Sequence, residues 1–185
     1  MGNGLRVGSV VGFTEIGGEE ALALGGQIAA GHRFGRFTLE AELDGLELSE
    51  HVDYRNYDSR RGSLYRVGVT ARLDVTRFEV GPRSLLVLFV ETGTGRQRSR
   101  WDGGETGTRT DTHVGMGWVL DHRSRRQHLL PAVGWHVGWR LIGARTADAA
   151  HMSRSLCRGK DCTTPDDAPT YDTGLLVTSG LIVSW

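Results

Sequence analysis

The strongest constraint on how this chain folds is an alternation of apolar and polar side chains with a period of two. Residues 37–45 read FTLEAELDG, with apolar side chains or glycine at the odd positions and polar side chains at the even positions. Successive side chains of a β-strand point to opposite faces, so this segment predicts a strand with one apolar and one polar face. The same pattern recurs in eight segments, at residues 4–14, 21–32, 36–46, 64–77, 85–96, 110–121, 130–144 and 172–185.

The segment at 21–32 is the least regular of the eight. Its alanines and leucines suit a helix by propensity, but the adjacent Gly25 and Gly26 disfavour one. Leu22 and Leu24 keep the parity of a strand. We therefore predict a strand here as well.

The connections between the predicted strands alternate in length. RFGR and VGPRS are short, whereas long polar loops are predicted at 47–63, 97–109 and 145–171. This alternation is typical of an antiparallel up-and-down meander with its long loops at one end. A chain of 185 residues corresponds to about one domain, so we assign residues 1–185 to a single all-β unit.

The composition of the polar faces indicates which side of the sheet meets water. They consist mostly of glycine, of which the chain has 27, with single charges of both signs between. Side chains from opposite walls share a narrow interior in an eight-stranded barrel, where glycines make room for long charged residues. We therefore expect the polar faces to line a lumen and the apolar faces to meet lipid.

Charged groups in such a lumen stay ionised only when they are paired. We interpret them as a structural ion-pair network rather than as a proton path or a catalytic dyad. A hairpin centred near residue 55 would place Asp44 opposite Arg66 and Thr38 opposite Arg72, with Glu40 and Glu42 reaching the same arginines diagonally. The predicted network comprises Arg6, Glu40, Glu42, Asp44, Arg66, Arg72, Asp74, Glu91, His113, His136 and Arg140.

Aromatic residues of the apolar faces fall near the two ends of the predicted strands, as in the interfacial girdles of membrane barrels. Those expected at the short-turn end are Phe34, Phe37, Phe78, Trp118 and Trp185, and those expected at the long-loop end are Phe13, Tyr65 and Trp139.

The chain ends on TSGLIVSW, at the end of the last predicted strand. Thr178, Gly180, Val183 and Trp185 resemble the C-terminal assembly signal of bacterial outer-membrane barrels. Val183 stands where an aromatic residue is commoner, and Trp185 stands where phenylalanine is usual. With eight strands and alternating connections, the whole chain resembles an eight-stranded outer-membrane barrel of the OmpA/OmpX type.

This resemblance implies an antiparallel up-and-down transmembrane β-barrel in the bacterial outer membrane, folded by the barrel assembly machinery. Membrane lipid and lipopolysaccharide would surround it, and its long loops would bind an extracellular ligand or protein without enzymatic activity. No cofactor or metal is expected, and the balance of 22 basic against 22 acidic residues indicates no nucleic-acid partner. The start MGNGLRV has no secretory signal, so we interpret Met1 as an added start residue of an exported chain.

Three other functions stay open at this point: a small pore, a soluble lipocalin-like carrier with inverted parity, and a lipid A acylase or deacylase. A deacylase-like histidine is followed two residues later by serine, but here Gly115 follows His113 and Gly138 follows His136. His151 and Ser153, in the longest loop, do have that spacing.

Cys157 and Cys162 lie in the same polar stretch, close enough in sequence to form a small loop disulfide. An oxidising compartment favours the bond, whereas a reducing one would leave two surface thiols.

Overall fold

A computed structural model describes residues 2–16, 19–50, 61–104, 106–122, 132–145 and 171–185. These residues form a closed antiparallel barrel in which each strand pairs with its neighbours in sequence and the last pairs with the first. The predicted fold class is confirmed. The strands are β1 (Gly2–Ile16), β2 (Glu19–Phe34), β3 (Phe37–Glu50), β4 (Arg61–Gly81), β5 (Ser84–Trp101), β6 (Thr106–His122), β7 (Ala132–Arg145) and β8 (Tyr171–Ser184).

The antiparallel order defines two ends of the barrel. The β1–β2, β3–β4, β5–β6 and β7–β8 connections leave from one end, called here the loop end. The β2–β3, β4–β5 and β6–β7 connections and both ends of the chain lie at the other, the turn end. At the β2–β3 turn, Gly35 has a φ of 66°, which suits the first position of a two-residue hairpin turn.

The strands extend further at the loop end than the sequence predicted. β3 continues to Glu50, β4 begins at Arg61, and the expected loop at 97–109 is mostly paired strand, with Gln97 opposite Arg109. The outer face of this extension is polar, and its apolar side chains Leu48 and Trp101 point inward, so the outward apolar alternation does not continue into it. The loop boundaries 47–63 and 97–109 were therefore wrong. Residues 146–170, with Cys157, Cys162, His151 and Ser153, lie outside the described residues.

One irregularity changes the parity of β4. The pairing of β4 with β5 shifts between Asp74 and Thr76, as at a β-bulge. Strict alternation from the inward-facing Asp74 would turn Phe78 into the lumen, but Phe78 is 49% exposed. The bulge thus returns this aromatic side chain to the outer surface.

The barrel is apolar outside and charged inside. Leu24, Val67 and Leu141 are more than half exposed, whereas Arg6 and Arg140 are each 2% exposed. This parity contradicts the inverted arrangement that a soluble lipocalin-like carrier requires. No helix long and apolar enough to cross a membrane occurs in the described part of the chain.

Candidate functional site

Glu42 lies at the centre of the lumen and contacts arginines from three other strands. Arg6 of β1 donates to its Oε1 at 2.7 Å, and Arg66 of β4 donates to its Oε2 at 3.1 Å. Arg140 of β7 reaches both oxygens, at 2.6 and 2.9 Å. The carboxylate is 2% exposed, so it is stabilised by these cations in place of water.

Arg66 connects Glu42 to a second group of side chains. Its Nη1 lies 3.1 Å from Asp44, its Nε lies 3.0 Å from both oxygens of Asp111, and its Nη2 lies 3.0 Å from His113 Nδ1. Asp111 was absent from the predicted network although it shares the inward parity of His113, two residues later. That parity was the signal that could have found it.

The opposite side of the network contains two further groups. Arg6 also contacts Glu40 at 2.9 Å and His136 Nε2 at 3.1 Å. Arg140 Nε donates to Glu91 at 2.5 Å. Ten of the eleven predicted residues thus lie together in the lumen, if Arg72 is included through its ion pair with Glu40 at 3.4 Å.

The register of β3 and β4 is the predicted one. Asp44 pairs with Arg66 and Thr38 pairs with Arg72. All three nitrogens of the Arg66 guanidinium are engaged. Arg72 Nε and Nη1 have no hydrogen-bond partner among the described residues, although Nη1 takes part in the ion pair with Glu40. The guanidinium of Arg72 also lies over the Phe89 ring, 5.1 Å from its centroid.

Asp74, the eleventh predicted residue, lies apart from the central network. It binds Arg33 and Arg77 at the turn end, the second of them at 3.1 Å. A separate pair, Arg109 and Asp172, joins β6 to β8 at the loop end at 2.5 Å. These three arginines and Asp172 were not predicted, because they lie at or beyond the ends of the predicted apolar alternation.

Apolar side chains separate the network from the loop end. The buried cluster there comprises Val10, Ile16, Ala21, Ala23, Leu46, Leu48, Leu64, Trp101, Ile142 and Leu176. A smaller cluster of Val87, Phe89 and Val119 lies toward the turn end, with Leu85 and Ile182 packed against it. Apolar side chains therefore cover the ion pairs toward the loop end and flank them toward the turn end, and this low-dielectric setting strengthens them.

Some of the lumen glycines make room for charged side chains. A Cβ on Gly95 would lie 2.8 Å from Arg66 Nε, and one on Gly93 would lie 2.5 Å from the His113 ring. Other glycines allow close approach of neighbouring backbones, since a Cβ on Gly12 would lie 2.0 Å from the Leu175 carbonyl oxygen of the neighbouring strand. Crowding by charged groups therefore explains only part of the glycine content.

The aromatic side chains assigned to the girdles all face outward. Phe34 and Phe37 flank the β2–β3 turn and are 51% and 43% exposed. Tyr65 and Phe13, near the loop end, are each 62% exposed. Trp139 lies near the middle of β7, six residues before its end at Arg145. The other residues assigned to the girdles, Phe78, Trp118 and Trp185, also lie on the outer face, as does Trp135, which was not assigned to a girdle.

The residues that resemble an assembly signal lie along the seam that closes the barrel. Gly180 pairs with Gly8 of β1, where a Cβ would lie 2.3 Å from the Val7 carbonyl oxygen. Trp185 exchanges two backbone hydrogen bonds with Asn3, at 2.8 and 3.0 Å. Val183 pairs with both neighbouring strands, and Thr178 is 2% exposed in the lumen.

The described residues contain no group of three or more side chains suited to holding a metal ion. The carboxylates of the central network and the two lumen histidines, His113 and His136, contact arginines. The arrangement therefore cross-links the barrel walls.

Comparisons with known proteins define the class of fold. No family model matches the chain, and no curated protein matches it. The solved structures similar to it include Neisserial surface protein A (NspA), at 13% identity over 98% of this chain and 96% of that one, with a TM-score of 0.54. The chain therefore has the fold of eight-stranded outer-membrane β-barrels.

Two further structures match at lower TM-scores. Ail, the attachment invasion locus protein of Yersinia pestis, in complex with the heparin analogue sucrose octasulfate, is 12% identical over 100% of this chain and 99% of that one, with a TM-score of 0.44. The N-terminal β-barrel domain of Pseudomonas aeruginosa OprF is 15% identical over 100% of both chains, with a TM-score of 0.38.

Proposed function

We propose that this chain is a non-enzymatic protein of the bacterial outer membrane that presents its loop end to a partner outside the cell. The apolar exterior supports the membrane location, because thirty large hydrophobic side chains are exposed on a barrel with a charged interior. The barrel assembly machinery would recognise the seam residues Thr178, Gly180, Val183 and Trp185.

The observation that carries the proposed surface role is a row of outward arginines at the loop end. Arg96, Arg98 and Arg100 are exposed on β5, beside the exposed Arg61 of β4. Alternate residues of a strand lie about 7 Å apart on one face, so these side chains form a continuous basic strip. Arg98 pairs with Tyr65, an aromatic residue of the loop-end girdle. The strip thus crosses the level expected for lipid headgroups, because Arg96 lies opposite Val67 on the turn side of Tyr65 and Arg100 lies on its loop side.

The neighbouring wall of the loop end, on β2 and β3, carries the opposite charge. Glu20 on β2 and Glu47 on β3 are both exposed and outward. Charge separated in this way orients a charged partner on the surface. We infer that the phosphate groups of lipopolysaccharide bind along the basic strip, while the connections at 51–60 and 146–170 approach other extracellular partners.

The replacement of Arg96, Arg98 and Arg100 together by glutamine is expected to reduce retained lipopolysaccharide severalfold. Each lost arginine removes a charge-assisted hydrogen bond to phosphate. The measurement is mass spectrometry of lipid that co-purifies with the protein from membranes. Replacing the exposed turn-end Arg36 and Arg83 by glutamine is the control and should leave retention unchanged. Equal retention in all three proteins would refute the role of the strip.

The membrane location has a separate test. The native barrel should require detergent or lipid to stay in solution, and it should migrate faster on a gel when unheated than when boiled. A closed barrel held by hydrogen bonds between all neighbouring strands resists unfolding by the detergent. Ready solubility in plain buffer would contradict the proposal.

The filled lumen supports a closed barrel rather than a pore. His113 and His136 are each at most 2% exposed and contact arginines, which supports a structural role for both. Planar bilayers that contain the protein are expected to show no steady conductance.

A further inference from the structure

A cavity of about 540 Å³ lies at the turn end, below the central network. Its walls include Arg6, Thr38 and Arg72, with Arg33 and Arg77 at the rim, where their side chains are 36% and 38% exposed. The cavity is therefore continuous with the surface at the end of the barrel that carries both chain termini. Its volume is in the range of small-molecule sites.

The polar groups around this cavity differ in how completely they are paired with hydrogen-bond or ion-pair partners. Asp74 binds Arg33 and Arg77, and Glu40 accepts a hydrogen bond from Arg6 at 2.9 Å. Among the described residues, Arg72 has one ion pair, with Glu40 at 3.4 Å, and lies over the Phe89 ring, although it is 8% exposed. Asp121, which also lines the cavity, interacts with another residue.

Four buried polar atoms of residues that line this cavity have no hydrogen-bond partner in the described part of the chain. They are Arg6 Nε, Thr38 Oγ1, Arg72 Nε and Arg72 Nη1. All four can donate a hydrogen bond, and Thr38 and Arg72 are directly opposite each other on β3 and β4. A buried donor without a partner is costly, so a ligand that accepts from these groups recovers that free energy.

The wall beside these donors is apolar. Val87, Val119 and Ile182 line the cavity and pack together as part of the turn-end cluster. A ligand that fits both walls has an anionic oxygen group at one end and an apolar part at the other.

We propose that the turn-end cavity binds a small oxyanion, a carboxylate or a phosphate, through Arg72 and Thr38. The four atoms without a hydrogen-bond partner are shielded from water, so the Arg72 side chain turns toward the cavity when the ligand enters. The contact given up is the ion pair at 3.4 Å, and Glu40 keeps its shorter bond to Arg6. The site lies at the opposite end from the basic strip, so it is independent of the proposed surface role.

Equilibrium dialysis of the refolded full chain in detergent micelles tests this site. The probes are labelled inorganic phosphate and labelled hexanoate, at constant ionic strength set by sodium chloride, with protein-free micelles as the blank. Saturable binding of about one probe molecule per barrel is expected, and the probe that saturates identifies the ligand as inorganic or organic.

Arg72→Gln should weaken this binding at least about tenfold, because it removes the charge that the anion meets. Thr38→Val keeps the side-chain shape and should weaken binding by roughly two- to tenfold through the lost hydroxyl donor. Arg36→Gln, on the exposed turn, is the matched control and should bind like the parent protein. Heat-modifiable migration verifies that each variant is folded.

Binding that neither variant changes would overturn the proposal, as would the absence of saturable binding by both probes. If Arg72→Gln does not fold, the binding measured for Thr38→Val tests the proposal by itself. The Thr38 side chain is neutral and takes part in no described ion pair, so this variant should still fold.

Discussion

Arg66→Ala is expected to destabilise the barrel by about 3–5 kcal/mol. The arginine is 2% exposed and contacts Glu42, Asp44 and Asp111, so its removal leaves buried carboxylates with fewer compensating charges. A solvated surface ion pair would contribute only about 0–1 kcal/mol. The measurement is equilibrium unfolding in urea with lipid vesicles, followed by tryptophan fluorescence.

Two further variants separate charge from volume. Arg66→Met keeps much of the side-chain length and removes the charge, so it should be destabilised about as strongly as Arg66→Ala. Arg36→Ala alters an exposed arginine at the turn end and should change stability by no more than about 0.5 kcal/mol. If Arg66→Ala lost as little stability as Arg36→Ala, water would be solvating the buried carboxylates in place of the guanidinium.

Val69→Arg is expected to destabilise the membrane-embedded barrel by about 2–4 kcal/mol. Val69 is 50% exposed in the middle of the apolar exterior, where a guanidinium would have to leave water for hydrocarbon. Val137, on the outer face of β7, should respond in the same way. The measurement is the fraction of protein that becomes heat-modifiable after refolding into vesicles.

Thr108→Arg is the matched control for these two variants. Thr108 is exposed on the outer face of β6 at the level of the loop-end girdle, because it pairs with Arg98, which in turn pairs with Tyr65. Another arginine at this level meets water and headgroups, so assembly should be nearly unchanged. Normal assembly of both valine variants would show that this face of the barrel is not in contact with lipid.

The sequence was sufficient to predict the fold because two repeated signals act together. Alternation fixes which residues share a face, and short turns fix which strands pair. The β3–β4 pairing was predictable to the residue, since a hairpin centred near residue 55 places Asp44 opposite Arg66. Most of the network followed from this, because inward parity in a narrow barrel forces charged side chains of opposite sign together.

Other features depend on information that alternation does not contain. The bulge between Asp74 and Thr76 reverses parity without any change in residue type. The extension of β5 to Trp101 has a polar outer face and therefore lacks the outward apolar signal. Which acid accepts from which arginine depends on distances across the lumen, so the incomplete pairing of Arg72 was visible only in the structure.

The contacts of Glu42 have a mechanical consequence. β3 and β7 are diametrically opposite, because each is the fourth strand from the other in both directions around the barrel. Glu42 and Arg140 join these strands across the full width of the lumen at 2.6 Å. A hollow cylinder of this kind flattens easily under lateral pressure, whereas one braced along a diameter keeps a fixed cross-section. The shape of this barrel is thus set from within as well as by its hydrogen-bonded wall.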